Sequence, residues 1–281
     1  MRSRLTVLLL FAMLTAPLLG QASAIPSAAP APRSGETEEQ HGRRLLDEMV
    51  KALGGQAWLN RGSITEEGKT AAFFRNQPNG SLVQFVEYVR PVNSPLGPAE
   101  RFEYLTVRGM IMPGMKKDVV HLWTKDQGYE LTFKGRTELP KPQVTDYLRR
   151  RAHSIDEVMH SWVNAPGVMV LAEGTGMRDR HLVDKVSILA PDNDTVEIEL
   201  DATTHLPVQR TFEWRNDQFK DHDVDEETYT GYQPYDGIQT PLNITRYRNG
   251  DMVSQIFILK VKYGPPLGPD LFDPDKLPVK K

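Results

Sequence analysis

Histidine side chains are the first candidates for chemistry in this chain, because imidazole serves as a metal ligand and as a general base near neutral pH. The chain has seven of them, at His41, His121, His153, His160, His181, His205 and His222. No two are four residues apart, the spacing that places two metal ligands on one helix face. His121 shares a predicted strand face with Val119 and Trp123, which is typical of a half-buried structural histidine. The histidine pattern therefore predicts no metal site.

Carboxylates offer a second route to catalysis. Residues 221–227 (Asp-His-Asp-Val-Asp-Glu-Glu) are as acidic as a calcium loop, but the glycine at the sixth position and the glutamate at the twelfth are missing. We interpret them as an exposed acidic turn between strands. The motifs of serine nucleophiles and phosphate-binding loops are absent as well. The sequence therefore predicts no catalytic residue, no cofactor and no enzyme, with a hydrolase that assembles a carboxylate pair only on folding as an alternative.

One charged residue stands on an otherwise apolar strand face. Arg210 alternates in phase with Val208, Phe212 and Trp214. A charge on a buried face costs several kcal/mol, on the order of 3–5, unless it is paired. Arg210 is therefore expected either to reach the solvated rim or to pair inside with a carboxylate, a helix carbonyl or a ligand head group.

Composition and charge exclude some functions. The chain has 281 residues, no cysteine, and 34 Lys and Arg against 37 Asp and Glu. Such an acidic balance gives no electrostatic footprint for nucleic acid. The basic residues 149–151 are expected to form a solvated helix face rather than an anion site. Without disulfides, a large buried core must stabilise the fold.

The N-terminal residues predict export. A basic start with Arg2 and Arg4, an apolar run over residues 5–19 and the small residues at 22–24 together form a signal peptide over residues 1–24. Residues 25–35 are rich in Pro and Ala and read as a flexible leader. Residues 36–281 are then expected to form one domain, located in the periplasm or, alternatively, secreted.

Hydrophobic periodicity assigns the elements of that domain. Residues 36–53 follow a helical stripe that ends at Gly54 and Gly55. Period-two alternation then predicts strands near residues 82–89, 101–107, 119–123 and 129–133. A helix pair is expected between Pro142 and Trp162, joined at residues 153–154.

Strands resume after the helix pair, at about residue 185. Asn249-Gly250 is a strong two-residue hairpin turn. Counting outward from this turn predicts the pairs Arg246 with Val253, Ile244 with Gln255, and Leu242 with Phe257. The fold class is α+β, with a long antiparallel sheet preceded by one helix and interrupted by the helix pair.

Six short motifs in a fixed order resemble one family. They are residues 52–55 (Ala-Leu-Gly-Gly), 88–91 (Tyr-Val-Arg-Pro), 125–129 (Lys-Asp-Gln-Gly-Tyr), 199–201 with 205–207 (Glu-Leu-Asp, His-Leu-Pro), 232–238 with Pro241, and 271–274 (Leu-Phe-Asp-Pro). In this order they are similar to the LolA/LolB-like superfamily of periplasmic lipoprotein carriers, in its branch of outer membrane lipoprotein-sorting proteins. The likeness covers roughly residues 38–274, and extra residues at 93–100 and 109–117 depart from the family.

The resemblance implies an open, curved half-barrel whose apolar inner side is covered by the helices. It implies a non-enzymatic carrier of a lipid, an acylated lipoprotein or another hydrophobic ligand, with no cofactor. Arg90 matches the family's Arg-Pro position, where an arginine holds the covering helices. An interaction module for envelope stress or assembly, with envelope protein partners, is the alternative on the same fold, and we expect a monomer.

The candidate ligand-binding side chains come from the helix pair and from alternate strand positions. Apolar faces of this kind accommodate acyl chains at about 0.8 kcal/mol per buried CH₂. The candidate ligand-binding side chains are Leu148, Ile155, Met159 and Trp162 on the helices and Val196, Ile198, Leu200, Phe212, Trp214, Leu242, Ile244, Phe257 and Leu259 on the strands, with Arg90 and Arg210 as polar rim or helix-holding residues.

Overall fold

A computed structural model gives the structure of the protein and describes residues 33, 35–105, 119–132, 134–216 and 218–276. The signal peptide predicted over residues 1–24, most of the predicted leader and the inserted residues 109–117 lie outside the described residues.

The helices agree closely with the sequence prediction. They are α1 (Glu38–Leu53), α2 (Gln56–Leu59), α3 (Lys141–Ala152) and α4 (Ile155–Glu157), with a π-helical turn at Val158–Trp162 and 3-10 turns at Pro269–Phe272 and Pro274–Lys276. Thr37 caps α1 through a reciprocal capping box with Gln40. Ser154 caps α4 by accepting a hydrogen bond from the Glu157 amide, so the helix pair breaks where the sequence predicts.

The strands are short and regular. They are β1 (Ile64–Phe74), β2 (Gln77–Pro78), β3 (Val83–Arg90), β4 (Ala99–Leu105), β5 (Val119–Trp123), β6 (Gly128–Thr132), β7 (Gly135–Glu138), β8 (Met169–Arg178), β9 (His181–Leu189), β10 (Thr195–Asp201), β11 (Pro207–Asn216), β12 (Asp221–Thr230), β13 (Gln233–Tyr235), β14 (Ile238–Thr240), β15 (Asn243–Arg248) and β16 (Asp251–Tyr263). Strand β8 was not predicted, and β12 replaces the predicted acidic turn.

These strands form one large antiparallel sheet. In the described part of the chain the order is β7-β6-β5-β4-β3-β1-β16-β15-β12-β11-β10-β9-β8, with β2 attached to β1 and with β13 and β14 as a separate hairpin. The ends of this order, β7 and β8, do not pair with each other, so the sheet is open. The predicted fold class, a long open antiparallel sheet with one preceding helix and a central helix pair, is confirmed.

The register defines two faces of the sheet. Ile198 pairs with Arg210, Arg210 with Glu227, and Glu227 with Arg246 across four neighbouring strands. Directly paired residues of antiparallel strands project to the same side. We call this side the inner face, and the helices α1 and α3 contact it.

The main core fills one half of the inner face. Helix α1 lies over β8 and β9, and its side chains Leu45, Leu46 and Met49 are at most 1 % exposed. A second core lies on the outer face of β4, β5 and β6, where Phe272 of the C-terminal turn packs against Leu122 and its neighbours. The two cores lie on opposite faces of the same sheet.

Two β-bulges correct the predicted register of β16. The turn at Asn249-Gly250 forms as predicted, but Arg246 pairs with Ser254 and Ile244 with Ile256, one residue beyond the prediction. A bulge inserts one unpaired residue and so shifts the inward set by one position. A second bulge opposite Gly68 leaves Leu259 unpaired.

The second bulge lies where β1, β3 and β16 approach each other closely. Replacing Gly68 by alanine should lower the free energy of unfolding by about 1–3 kcal/mol, because overpacking displaces backbone and side chains. The added Cβ would overlap the Phe257 carbonyl oxygen and lie 2.8 Å from the Phe85 ring. At Gly268 no heavy atom lies within 4 Å of an added Cβ, so Gly268→Ala should cost less than about 0.5 kcal/mol. Equal urea midpoints for the two variants would contradict this packing.

Candidate functional site

Eight of the predicted ligand-binding side chains meet in one cluster. Ile155, Met159, Trp162, Val196, Ile198, Leu200, Phe212 and Trp214 all belong to the core beneath α1. Three of them, Val196, Ile198 and Leu200, have no exposed surface, because α1 and the π-helical turn fill the space above them. They form packed core rather than the wall of a dry cavity in this conformation.

The remaining predicted side chains lie elsewhere. Leu148 faces the loop that connects β3 to β4. Leu259 is 58 % exposed, and Phe257 pairs with Lys69 on the outer face, so Ile256 and Ile258 take the inward positions instead. The bulges of β16, which the sequence pattern does not reveal, cause this exchange.

A buried carboxylate organises the centre of the inner face. Asp225 has no exposed surface and is shared by three guanidinium groups. Arg210 donates from Nη1 to Asp225 Oδ1 at 3.1 Å, Arg246 donates from Nε to Oδ2 at 2.9 Å, and Arg248 Nη2 lies 3.7 Å from Oδ2. We call Arg210, Asp225, Glu227, Arg246 and Arg248 the charged wall.

The sequence leaves open whether Arg210 reaches the solvated rim or is paired inside, and the structure decides between the two. Its side chain is completely buried and also pairs with Glu227 at 2.9 Å. Burial alone would raise the pKa of Glu227, but the charge and hydrogen bond of Arg210 lower it to about 2. Among the described residues, Arg210 Nε has no hydrogen-bond partner. Arg210 is paired inside and does not reach the rim.

The acidic half of this wall comes from residues that the sequence pattern assigned to an exposed turn. Residues 221–227 form part of β12 rather than an exposed turn, and Asp223, Asp225 and Glu227 alternate on the inner face. Arg246 and Arg248 alternate in the same way on the paired strand. Two strands with opposite charges in matching phase are a signal that could have placed Arg246 inside, where its side chain is 17 % exposed.

Helix α3 is held over the inner face by polar contacts. We call helix α3, residues 141–152, the lid. Asp146 pairs closely with Arg248 and lies 3.5 Å from Arg246 and 3.6 Å from Arg150. Burial would raise the pKa of Asp146, but the hydrogen bond from Arg248 and the charges of the three arginines outweigh it and lower the pKa.

Further contacts hold α3 through an aromatic stack and loop carbonyls. Tyr147 stacks on Trp123 with ring centroids 4.0 Å apart and donates to Glu100 at 2.7 Å. Arg151 donates to the carbonyl of Thr124 at 2.7 Å and also bonds the carbonyl of Lys125. The basic residues 149–151 are therefore engaged in specific contacts, and the predicted solvated face is wrong.

The segment that follows the lid is fixed by a histidine. Asp156 accepts from Arg61 at 2.6 Å and lies 3.3 Å from His160, whose second ring nitrogen contacts the carbonyl of Leu59 at 3.0 Å. The hydrogen bond with Asp156 is the main cause that raises the pKa of His160 to about 9. His160 thus carries a positive charge at neutral pH and joins this segment to α2.

Three carboxyl groups converge beneath the lid. Glu66 pairs directly with Glu87 across β1 and β3, and Glu100 follows on β4 within hydrogen-bond reach of Glu87. Burial raises the pKa of Glu66 to about 7, and burial together with the charges of Glu100 and Glu66 raises the pKa of Glu87 well above its usual range. We call these three residues the carboxyl cluster.

A space of about 200 Å³ lies between the lid and the sheet. Its lining includes Glu100, Tyr147, Arg150, Asp156 and Glu227, so it connects the carboxyl cluster to the charged wall. Apolar side chains of the adjoining inner face, among them Ile64, Ile244 and Ile256, keep part of their surface accessible. The space is polar at the lid and bordered by apolar side chains on the sheet.

Arg90 lies on the outer face, because it pairs with Ala99. It donates to the carbonyls of Gly97 at 2.7 Å and Leu96 at 3.2 Å, and its guanidinium carbon lies 5.0 Å from the ring centroid of Phe272. Arg90 therefore holds the β3–β4 loop and the C-terminal turn. The contacts that hold the lid come from its own Asp146 and Arg151.

A wider groove of about 810 Å³ lies at the other end of β11 and β12. Its polar wall comes from the outer face, where Gln209 donates to Thr211 and to Glu226 at 2.9 Å each. These three polar groups therefore bond one another.

Other types of site find no support in the described ranges. No group of three or more His, Asp or Glu side chains there has a geometry that could hold a metal ion. No helix there combines the length and the apolar character needed to cross a membrane.

The charged wall predicts a large energetic role for Asp225. Asp225→Asn should lower the free energy of unfolding by about 3–5 kcal/mol, because it leaves buried Arg210 without its full counter-charge. Asp223→Asn is the matched control, since Asp223 is partly exposed and bonds two asparagine amides, and it should cost less than about 1 kcal/mol. Chemical denaturation at pH 7 measures both. An Asp225→Asn variant as stable as the control would contradict the role of this carboxylate.

The raised pKa of Glu66 predicts a pH dependence with a definite sign. Well below pH 4.5 the Glu66 carboxyl is protonated in both the folded and the unfolded state. As pH rises from about 4.5 through about 7, the unfolded state releases this proton first, so the folded protein loses stability. Glu66→Gln should therefore stabilise the protein by about 1–3 kcal/mol at pH 8 but not at pH 4. The neighbouring Glu67→Gln, on the exposed side with Lys260, should lack this pattern. A pH-independent difference between Glu66→Gln and the wild type would contradict the burial of an ionised carboxylate.

Comparisons with known proteins support the fold. No protein-family model matches the chain, and no curated protein matches its sequence. A domain from Vibrio parahaemolyticus, whose name assigns it provisionally to outer membrane lipoprotein sorting, superposes with a TM-score of 0.54 at 10% identity over 84% of this chain and 98% of that one. A DUF1329 family protein from Desulfovibrio piger gives 0.58 at 11% identity over 86% and 100%. The chain thus has the LolA-like fold that its sequence motifs predict.

Proposed function

We propose that this chain is an exported, non-enzymatic carrier that binds an amphipathic lipid or the acyl chain of a lipoprotein between the lid and the inner face of the sheet. Periplasmic location follows from the proposed signal peptide. The fold, which is that of a lipid or lipoprotein carrier, supports the proposal.

The observation that carries the proposal is the contrast between the two helices on the inner face. Helix α1 buries six residues, whereas α3 buries only Tyr147. Ion pairs, hydrogen bonds and the single Tyr147–Trp123 stack, rather than an extended apolar interface, hold α3 in place. A helix attached in this way can leave the sheet without exposing a hydrophobic core.

The magnitudes favour reversible opening. Asp146 and Arg248 are 30 % and 32 % exposed, and partly exposed ion pairs contribute about 0–1 kcal/mol each. Opening α3 therefore costs a few kcal/mol, which corresponds to a minor open state. Burying about five CH₂ groups of an acyl chain at about 0.8 kcal/mol each would offset that cost.

The volume beneath the lid indicates that the described conformation is the closed one. Ligand sites have volumes of about 300–1,000 Å³, and the space of about 200 Å³ is smaller. An acyl chain would therefore enter as the lid moves outward. It would lie on the accessible apolar side chains of β1, β15 and β16.

Uptake of a fluorescent fatty acid tests the proposal. Wild-type protein should bind it, and Asp146→Asn should increase the association rate about threefold to tenfold, because a weakened lid contact raises the open population. Asp126→Asn, in the exposed β5–β6 turn, is the matched control and should behave as wild type. Extraction of protein purified from a bacterial envelope, followed by mass spectrometry, should recover a stoichiometric lipid. The absence of both uptake and co-purified lipid would overturn the carrier proposal.

The carboxyl cluster favours a hydrolase as second candidate. Burial and the charges of Glu100 and Glu66 raise the pKa of Glu87 well above its usual range, and a carboxyl with a raised pKa beside a second carboxyl is an arrangement found in acid–base catalysis. A lipid ester separates the two candidates. The carrier returns the ester intact, whereas a hydrolase would cleave it with the wild type and not with Glu87→Gln.

A further inference from the structure

Two arginines lie close to one indole ring at the edge of the lid. The guanidinium carbon of Arg149, on α3, is 4.5 Å from the ring centroid of Trp214. That of Arg248, at the end of β15, is 4.9 Å from the same centroid. The indole thus positions two cations at the boundary between the lid and the sheet.

The charges at this edge leave a cation without a counter-charge. Arg149, Arg150, Arg210, Arg246 and Arg248 stand opposite the carboxylates of Asp146, Asp225 and Glu227. The fourth carboxylate nearby, Asp223, accepts hydrogen bonds from Asn216 and Asn249. Within the described residues, the guanidinium of Arg149 forms no ion pair, and it lies over the Trp214 ring.

Unused donors lie further inside the same wall. Arg248 Nε and the Nε of the fully buried Arg210 have no hydrogen-bond partner among the described residues. A buried guanidinium with a free donor is costly unless an acceptor reaches it. Arg210 also pairs with Glu227, which lines the space beneath the lid. The unpaired donors of Arg248 and Arg210 therefore lie between the rim and that space.

We propose that Arg149 and Arg248, positioned by Trp214, bind the oxyanion head group of an acyl lipid whose tail lies beneath the lid. This inference rests on the proposed carrier function and specifies its ligand as anionic. A carboxylate or phosphate accepts the two guanidinium groups in the forked geometry that arginine favours. The tail then continues past Arg246 to Ile244, two residues further along the same strand face.

Competition against the bound fluorescent fatty acid tests the assignment with three probes. Dodecyl phosphate and dodecanol share the same tail, and inorganic phosphate has no tail. Wild type should bind dodecyl phosphate about tenfold more tightly than dodecanol, which corresponds to one charge-assisted contact of about 1.4 kcal/mol. In Arg149→Gln this ratio should fall to about one.

The controls separate this proposal from the carrier function. Arg215→Gln removes an exposed arginine on the outer face of β11, the strand that carries Trp214, and should keep the tenfold ratio. Equal binding of dodecyl phosphate and dodecanol by wild type would overturn the head-group site and leave the carrier intact. Inorganic phosphate competing as strongly as dodecyl phosphate would identify a site for free anions and would also overturn the proposal. No binding of any alkyl probe would overturn the carrier function itself.

Discussion

The shared carboxylate of Asp225 is the constraint on which the inner face depends. Three arginines, one on β11 and two on β15, converge from the two sides of β12 on one completely buried acid, so β11, β12 and β15 must keep the register that brings them together. A one-residue slip would turn every one of these side chains to the other face. The charged wall therefore fixes the strand register in the middle of a sheet whose end strands, β7 and β8, do not pair with each other.

This constraint divides the inner face into two parts with different properties. Over β8 to β11, α1 and the π-helical turn pack against apolar side chains and leave no space. Over β15, β4 and β5, the lid is held by ion pairs, one hydrogen bond and one aromatic stack. Packed apolar layers separate only at a large cost, whereas partly hydrated ion pairs exchange with water or with a ligand at a small one. The fold thus combines a stable half with a half that can open.

The sequence predicted the architecture well because local signals determine it. The capping box before α1, the break at Ser154 and the turn at Asn249-Gly250 all depend on residues within a few positions of each other. Strand β8 escaped prediction because Gly174 and Gly176 interrupt its alternation. The inward set of β16 was wrong at Phe257 and Leu259 because two bulges shift the phase, and a bulge depends on the neighbouring strand.

The functional features were harder to predict because they are assembled between distant segments. Asp146 meets Arg248 across 102 residues, and Glu66 meets Glu87 only through strand pairing.

The central claim is that the lid leaves the inner face when a lipid enters. The chain has no cysteine, so spin labels on Gln143→Cys in α3 and Lys260→Cys on β16 can measure this distance directly by pulsed electron resonance. We predict that the distance distribution shifts to longer values when laurate binds. An unchanged distribution in protein shown to contain bound laurate would contradict the account.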